Sequence, residues 1–131
     1  MKNIDWCEIL GWSEEQLEDI RFLGYAYVRQ GKYELAQSFF EALVAVAPGS
    51  AYDVQTLGAI YLQKGESAKA LFYLDQALKL EDNHVPTLMN RCKALLVIGH
   101  LEEGLKIAKK LKKNKDLSIA DVASALILAY S

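Results

Sequence analysis

A spacing of 34 residues constrains this chain more than any other feature. Leu23-Gly24 is followed by Tyr27, Gly31, Ala36, Phe40 and Pro48. A shift of 34 residues brings the pattern back as Leu57-Gly58, Tyr61, Gly65, Ala70, Leu74 and Asp82. A second shift of 34 gives Cys92, Leu95, Gly99, Gly104, Ala108 and Asp116, weaker but in register. A repeat of this length is one supersecondary unit that cannot bury its apolar face alone, so its copies must stack. The residue types fit two helices joined by a tight turn. Gly24, Gly58 and Cys92 are small where a first helix meets its own second helix, and Ala36, Ala70 and Gly104 are the small counterparts. Gly31, Gly65 and Gly99 fall where a left-handed residue would end the first helix.

Periodicity and caps then predict the elements. A short helix is expected over Ile4–Leu10. Ser13 with Gln16 forms a capping box that opens a helix to about Gln30. Further helices are expected over Tyr33–Ala47, Ala51–Lys64, Ser67–Leu80, Val85–Ile98 and Leu101–Lys113. Ser118 with Asp121 opens a last helix to Tyr130, in register as a fourth first-helix with no second helix after it. The expected class is all-α, a superhelix in one domain. A lead-in covers 1–16, repeats cover 17–50, 51–84 and 85–116, and a capping helix covers 117–131.

Composition narrows the function. The 131 residues are 52% hydrophobic and 24% charged with a net charge of −2, which is globular and gives no global attraction to nucleic acid. No apolar run approaches the ~18 residues that span a bilayer. Met1-Lys2-Asn3-Ile4-Asp5-Trp6-Cys7-Glu8 places acids where a signal peptide needs an apolar core, so a cytoplasmic protein is expected. Cys7 and Cys92 are expected as reduced, packed thiols. His84 and His100 sit at turns without metal-ligand neighbours, and no phosphate loop, nucleophile triad or zinc motif occurs. No enzyme, cofactor or metal site is therefore expected.

Charge is uneven. Residues 1–65 hold five Lys+Arg and nine Asp+Glu, a balance of −4, whereas 66–131 hold ten and eight, a balance of +2. Glu14, Glu15, Glu18 and Asp19 suit a helix start. The run Lys106, Lys109, Lys110, Lys112, Lys113 and Lys115 suits a solvated helix face and C-terminus. A hold on an acidic partner segment is the other use of those lysines.

The Leu-Gly pair, the aromatic three residues on and the small residue twelve after the glycine resemble the tetratricopeptide repeat (TPR). In that architecture the first helices line a concave face. Mapped onto this chain, the face takes Glu18, Arg21, Tyr25, Val28 and Arg29, then Tyr52, Gln55, Ala59, Leu62 and Gln63, then Pro86, Met89, Lys93, Leu96 and Val97. The capping helix would add Ala123, Ile127 and Tyr130. This face is mainly apolar, which suits an amphipathic helix or an extended hydrophobic segment.

The stretch Leu23–Leu43, with Gly24, Tyr25, Tyr27, Gly31-Lys32-Tyr33, Ala36 and Phe40, is similar in addition to one subfamily. So are the Leu57-Gly58-Ala59 opening and the Ala70–Leu80 close. They resemble the small cytoplasmic TPR chaperones of bacterial type III secretion, over about residues 13–100. That resemblance implies a client held in the groove. One branch of the subfamily holds hydrophobic translocator proteins; the other holds the self-polymerising needle subunit with a second small co-chaperone. The short lead-in and three-repeat build favour the needle branch, with premature polymerisation blocked by the bound groove. The expected groove contacts are Tyr25, Val28, Arg29, Tyr52, Ala59, Leu62, Met89, Lys93 and Leu96. Trp6, Trp12 and Glu15 form a candidate co-chaperone face, and a homodimer is a further expected state when free. A translocator chaperone and a generic TPR scaffold stand as the alternatives.

Overall fold

A computed structural model describes residues 10–131 of the chain. Seven helices occur among the described residues: α1 Glu14–Arg29, α2 Tyr33–Val46, α3 Ala51–Gln63, α4 Ser67–Leu80, α5 Val85–Ile98, α6 Leu101–Leu111 and α7 Leu117–Tyr130. All of the expected helix over Ile4–Leu10 except Leu10, including Trp6 and Cys7, lies outside the described residues.

Local chemistry sets the boundaries. Ser13 Oγ accepts from Gln16 N at 3.2 Å and Gln16 Oε1 accepts from Ser13 N at 2.8 Å, the capping box that opens α1. Ser50 Oγ caps α3 by accepting from Asp53 N at 3.2 Å. Gly31, Gly65 and Gly99 have φ of 73°, 79° and 103°, a region costly for any residue with a Cβ. That geometry closes each first helix: Lys32, Glu66 and His100 N–H groups reach back to the Tyr27, Tyr61 and Leu95 carbonyls, each at 2.9 Å. Asp116, and not Ser118, caps α7, since its carboxylate accepts from both Ser118 N and Ser118 Oγ. These bonds hold the Asp116 carboxyl below the usual carboxylate range.

The helices stack in chain order as a TPR-like superhelix, each packing on its sequence neighbours, with α3 also touching α5 and α5 touching α7. One core joins Leu17, Phe40, Leu43, Leu57, Ile60, Leu74 and Ala94. A second, smaller core joins Cys92, Leu96 and Ala108, covered by Leu105, Ile107, Leu126, Ile127 and Tyr130. Close approach explains the small residues. A Cβ on Gly24 would lie 2.7 Å from the Phe40 ring, and one on Gly58 would lie 2.9 Å from Leu74 Cγ. The third repeat inverts this arrangement. Cys92 fills the first-helix position, and Gly104 on α6 is the hole, where an added Cβ would lie 2.7 Å from Leu96 Cδ2.

The last helix departs from the repeat register. Ala94 and Leu95 of α5 are buried, but their counterparts 34 residues on, Leu128 and Ala129, are exposed. α7 instead buries Ala120 and Ala123. It is turned relative to that register, so that Ala123 and Ile127, expected to face the groove, pack inward.

Candidate binding groove

The first helices α1, α3 and α5 lie side by side, and a polar ladder ties them across the floor of the concave face. Thr56 Oγ1 donates to the Tyr52 carbonyl at 2.7 Å, so its lone pairs serve as acceptors. Tyr25 donates its hydroxyl to that oxygen at 2.9 Å and Gln55 Nε2 donates to it at 3.2 Å. Asn90 Nδ2 then donates to Gln55 Oε1 at 3.0 Å. Gln55 and Thr56 are buried, and no buried side-chain polar atom among the described residues lacks a partner. Burial of the Tyr25 ring pushes its phenol well above the ordinary tyrosine range. Its edge meets Phe40 at 5.1 Å and Tyr52 at 5.8 Å between centroids.

A fork-shaped ion pair braces the N-terminal end. Arg21 Nε and Nη2 donate to the two oxygens of Asp53 at 2.6 and 2.7 Å, and Arg21 Nη1 also meets Glu18. The Asp53 side chain is 0% exposed, so the bidentate bond replaces the water it has lost. The Asp53 hydrogen bond raises the Arg21 guanidinium further above its already high range, which keeps it charged.

Above this floor lie three depressions. One, of about 550 Å³, is lined by Glu14, Leu17, Glu18, Arg21, Ala47, Gly49, Ser50 and Tyr52. A second, of about 150 Å³, lies among Val28, Tyr33, Thr56, Ala59, Ile60 and Gln63. The third, of about 300 Å³, lies among Leu62, Gln63, Gly65, Ser67, Lys93, Val97, Leu126 and Tyr130. The last two share Gln63, so they adjoin along the groove.

Most residues expected in the groove come together on this face. Tyr25, Val28, Ala59, Leu62, Met89 and Lys93 are half-buried, while Tyr52 and Arg29 are exposed. Leu96 is the exception. It is 2% exposed and fills the hole at Gly104, so it belongs to the core and not to the groove. Arg21 and Gln55 are taken up by the ion pair and the ladder. On α7, Ala123 is fully buried, Ile127 packs in the second core, and Tyr130 reaches the edge of the third depression. Tyr33 and Leu126 line the groove without having been expected there. Trp12 packs on the first core, while Glu15 is exposed. Trp6, the third member of the expected co-chaperone face, lies outside the described residues.

Residues 29–111 match the family model described as anaphase-promoting complex, cyclosome, subunit 3. Anaphase-promoting complex subunit CDC16 of Saccharomyces cerevisiae is 28% identical over 79 residues, 60% of this chain; the match spans only 9% of that relative's length. Among solved structures, the Yersinia enterocolitica type III secretion chaperone SycD, in complex with a peptide of the translocator YopD, matches with a TM-score of 0.80. That match has 24% identity and covers 90% of this chain and 94% of the other. PcrH, known from Pseudomonas aeruginosa and solved with the chaperone binding region of PopD, matches with a TM-score of 0.80. It is 25% identical over 90% of this chain and 92% of the other. Translocator chaperones thus stand among the structural neighbours, and the needle-subunit expectation draws no support from these matches.

Proposed function

The chain belongs to the anaphase-promoting complex, cyclosome, subunit 3 family, and within that repeat architecture we propose that it is a non-enzymatic chaperone of the translocator class, on the strength of its groove and of its structural neighbours. Its client would be held as an extended, apolar segment along the concave face, in a bacterial cytoplasm. The observation that carries this reading is the pair of adjoining depressions among Val28, Ala59, Leu62, Lys93 and Val97. Each has room for one or two side chains, and an extended strand presents alternate side chains to one face. The exposed Gln63 amide between them is placed to pair with the backbone of such a strand. The folds of SycD and PcrH, solved with translocator segments, support the same class of client.

The mechanism needs no chemistry. An apolar export client left free in water aggregates, and occupation of its apolar segment by the groove removes that surface from water. Tyr25, Val28, Ala59, Leu62, Met89 and Lys93 are the proposed contacts, with Tyr52 and Arg29 at the rim. Leu62→Glu places a charge where the client's apolar side chain would sit. It should weaken client binding more than ~10-fold while leaving helicity unchanged, because Leu62 is only half-buried. Binding is read by calorimetry with the co-purified client, and unchanged affinity would remove the groove from the mechanism.

The family match favours a second reading, a scaffold subunit of a larger assembly. Affinity purification from native cytosol separates the two. A client that is soluble only in the complex supports the chaperone, whereas partners soluble on their own support the scaffold.

A further inference from the structure

Two exposed faces at opposite ends of the described superhelix, one on α1 and one on α7, are complementary. On α1, Phe22 is 67% exposed and Leu23 is also exposed. Their counterparts one and two repeats later are Thr56-Leu57 and Asn90-Arg91, and those positions all meet the preceding unit. Thr56 bonds Tyr25, Leu57 is buried, Asn90 bonds Gln55 and Arg91 bonds Asp75. The first unit therefore presents a face whose counterparts in later units are covered by a helix pair, with Asp19 and Glu15 exposed one and two turns before Phe22 and Leu23.

The other end is the turned helix α7. Its outward face carries Leu117, Val122 and Leu128, with Leu128 82% exposed, and Asp121 is its one acidic group. A solvated helix face is normally polar, whereas this exposed face is mainly apolar. The rim beside it reverses charge. Glu41 of α2 accepts from the Tyr61 hydroxyl at 3.0 Å, and Asp75 of α4 accepts from Arg91 Nε at 2.7 Å. The same position in α6 is Lys109. None of the six lysines between 106 and 115 makes an ion pair among the described residues.

We propose that these two faces bind one another, so that the α1 end of one copy stacks on the α7 end of a second copy, head to tail. Phe22 and Leu23 then cover Leu128 and Val122, while Glu15 and Asp19 supply the acids that Lys109 and its neighbours lack. The contact is heterologous: each copy uses one face and leaves the other open, so the array extends without closing. The concave groove is not consumed, and the proposal is independent of what the groove binds.

The test is sedimentation of the full chain and two variants, Phe22→Glu and Leu128→Glu. Both sites are exposed, and circular dichroism checks that the fold is kept. The wild type should form a concentration-dependent series of oligomers that shrinks at high salt. Each variant alone should be monomeric. An equal mixture should give a species of twice the monomer mass and nothing larger, because each variant retains the face that the other has lost. Self-association of Phe22→Glu alone would mean α7 against α7, and of Leu128→Glu alone would mean α1 against α1. Either result overturns the proposal, as does a mixture that stays monomeric or a wild type that never associates.

Discussion

The first two repeats and the third solve the same packing problem in opposite directions. In the first two, the hole is on the first helix, at Gly24 and Gly58, and the second helix supplies the large side chain, Phe40 or Leu74. In the third, the hole is Gly104 on α6, and the first helix supplies the large side chain, Leu96. The consequence for the concave face differs between the two arrangements. Val28 and Leu62 remain half-buried on the groove side, but Leu96, at the same register position, is buried against Gly104 in the second core. A groove residue is thus lost because of the residue opposite it, eight positions later in the chain.

Phe40→Ala should have the largest effect on this comparison. The ring is fully buried, fills the hole at Gly24 and touches Tyr25. Its loss should cost about 3–5 kcal/mol, as expected for a large aromatic side chain deleted from a packed core. Urea denaturation read at a constant slope measures it. A cost under ~1 kcal/mol would mean that the first repeat collapses around the cavity and does not depend on the knob and hole.

A pair at one register position sharpens the contrast. Leu96→Ala should destabilise by about 2–5 kcal/mol because a core side chain leaves a cavity, while Leu62→Ala should cost under ~1.5 kcal/mol because its side chain is half in water. Client affinity should respond in the opposite order, falling for Leu62→Ala and holding for Leu96→Ala in the folded population. Equal costs from the two substitutions, measured by the same denaturation series, would contradict the inversion.

Much of the fold was legible because a 34-residue register repeats local chemistry. Gly31, Gly65 and Gly99 could be recognised as helix ends from their spacing, and α4 and α5 run over the expected residues Ser67–Leu80 and Val85–Ile98. Val28, Ala59, Leu62 and Lys93, four of the nine expected groove residues, line the two adjoining depressions because the same register puts them on α1, α3 and α5. What register could not supply was side-chain choice between competing neighbours. Leu96 followed Gly104, a small residue that the repeat also expects as alanine. Arg21 followed Asp53, a buried carboxylate 32 residues away, which takes its guanidinium out of the groove. The turn of α7 has a related cause. Eleven of its fourteen residues are hydrophobic, so the sequence does not single out one face. A trace of the polar ladder was present as Gln55, Thr56 and Asn90 at helix positions that stacking buries, since polar residues there need one another.

The glycines themselves give the smallest and most discriminating effect. Alanine in mid-helix is favoured over glycine by about 1 kcal/mol, and an extra methyl in a packed interface costs about 1–3 kcal/mol, so the sign depends on what must move. At Gly58 the new Cβ would meet Leu74 Cγ at 2.9 Å and also the Ala70 carbonyl oxygen at 3.2 Å. A backbone carbonyl in a neighbouring helix cannot step aside, so Gly58→Ala should push α3 from α4 and destabilise by about 1–2 kcal/mol net. At Gly104 the nearest atoms are Leu96 Cδ2 and Cγ at 2.7 and 2.8 Å, while the nearest backbone atom is at 3.4 Å. That side chain can rotate out. Gly104→Ala should therefore be close to neutral, within about 1 kcal/mol, and should expel Leu96 toward the concave side, where Val28 and Leu62 already lie. Methyl NMR of Leu96 would report the move. A Gly104→Ala protein as destabilised as Gly58→Ala, with Leu96 unmoved, would mean that the third repeat is as rigidly interlocked as the first two.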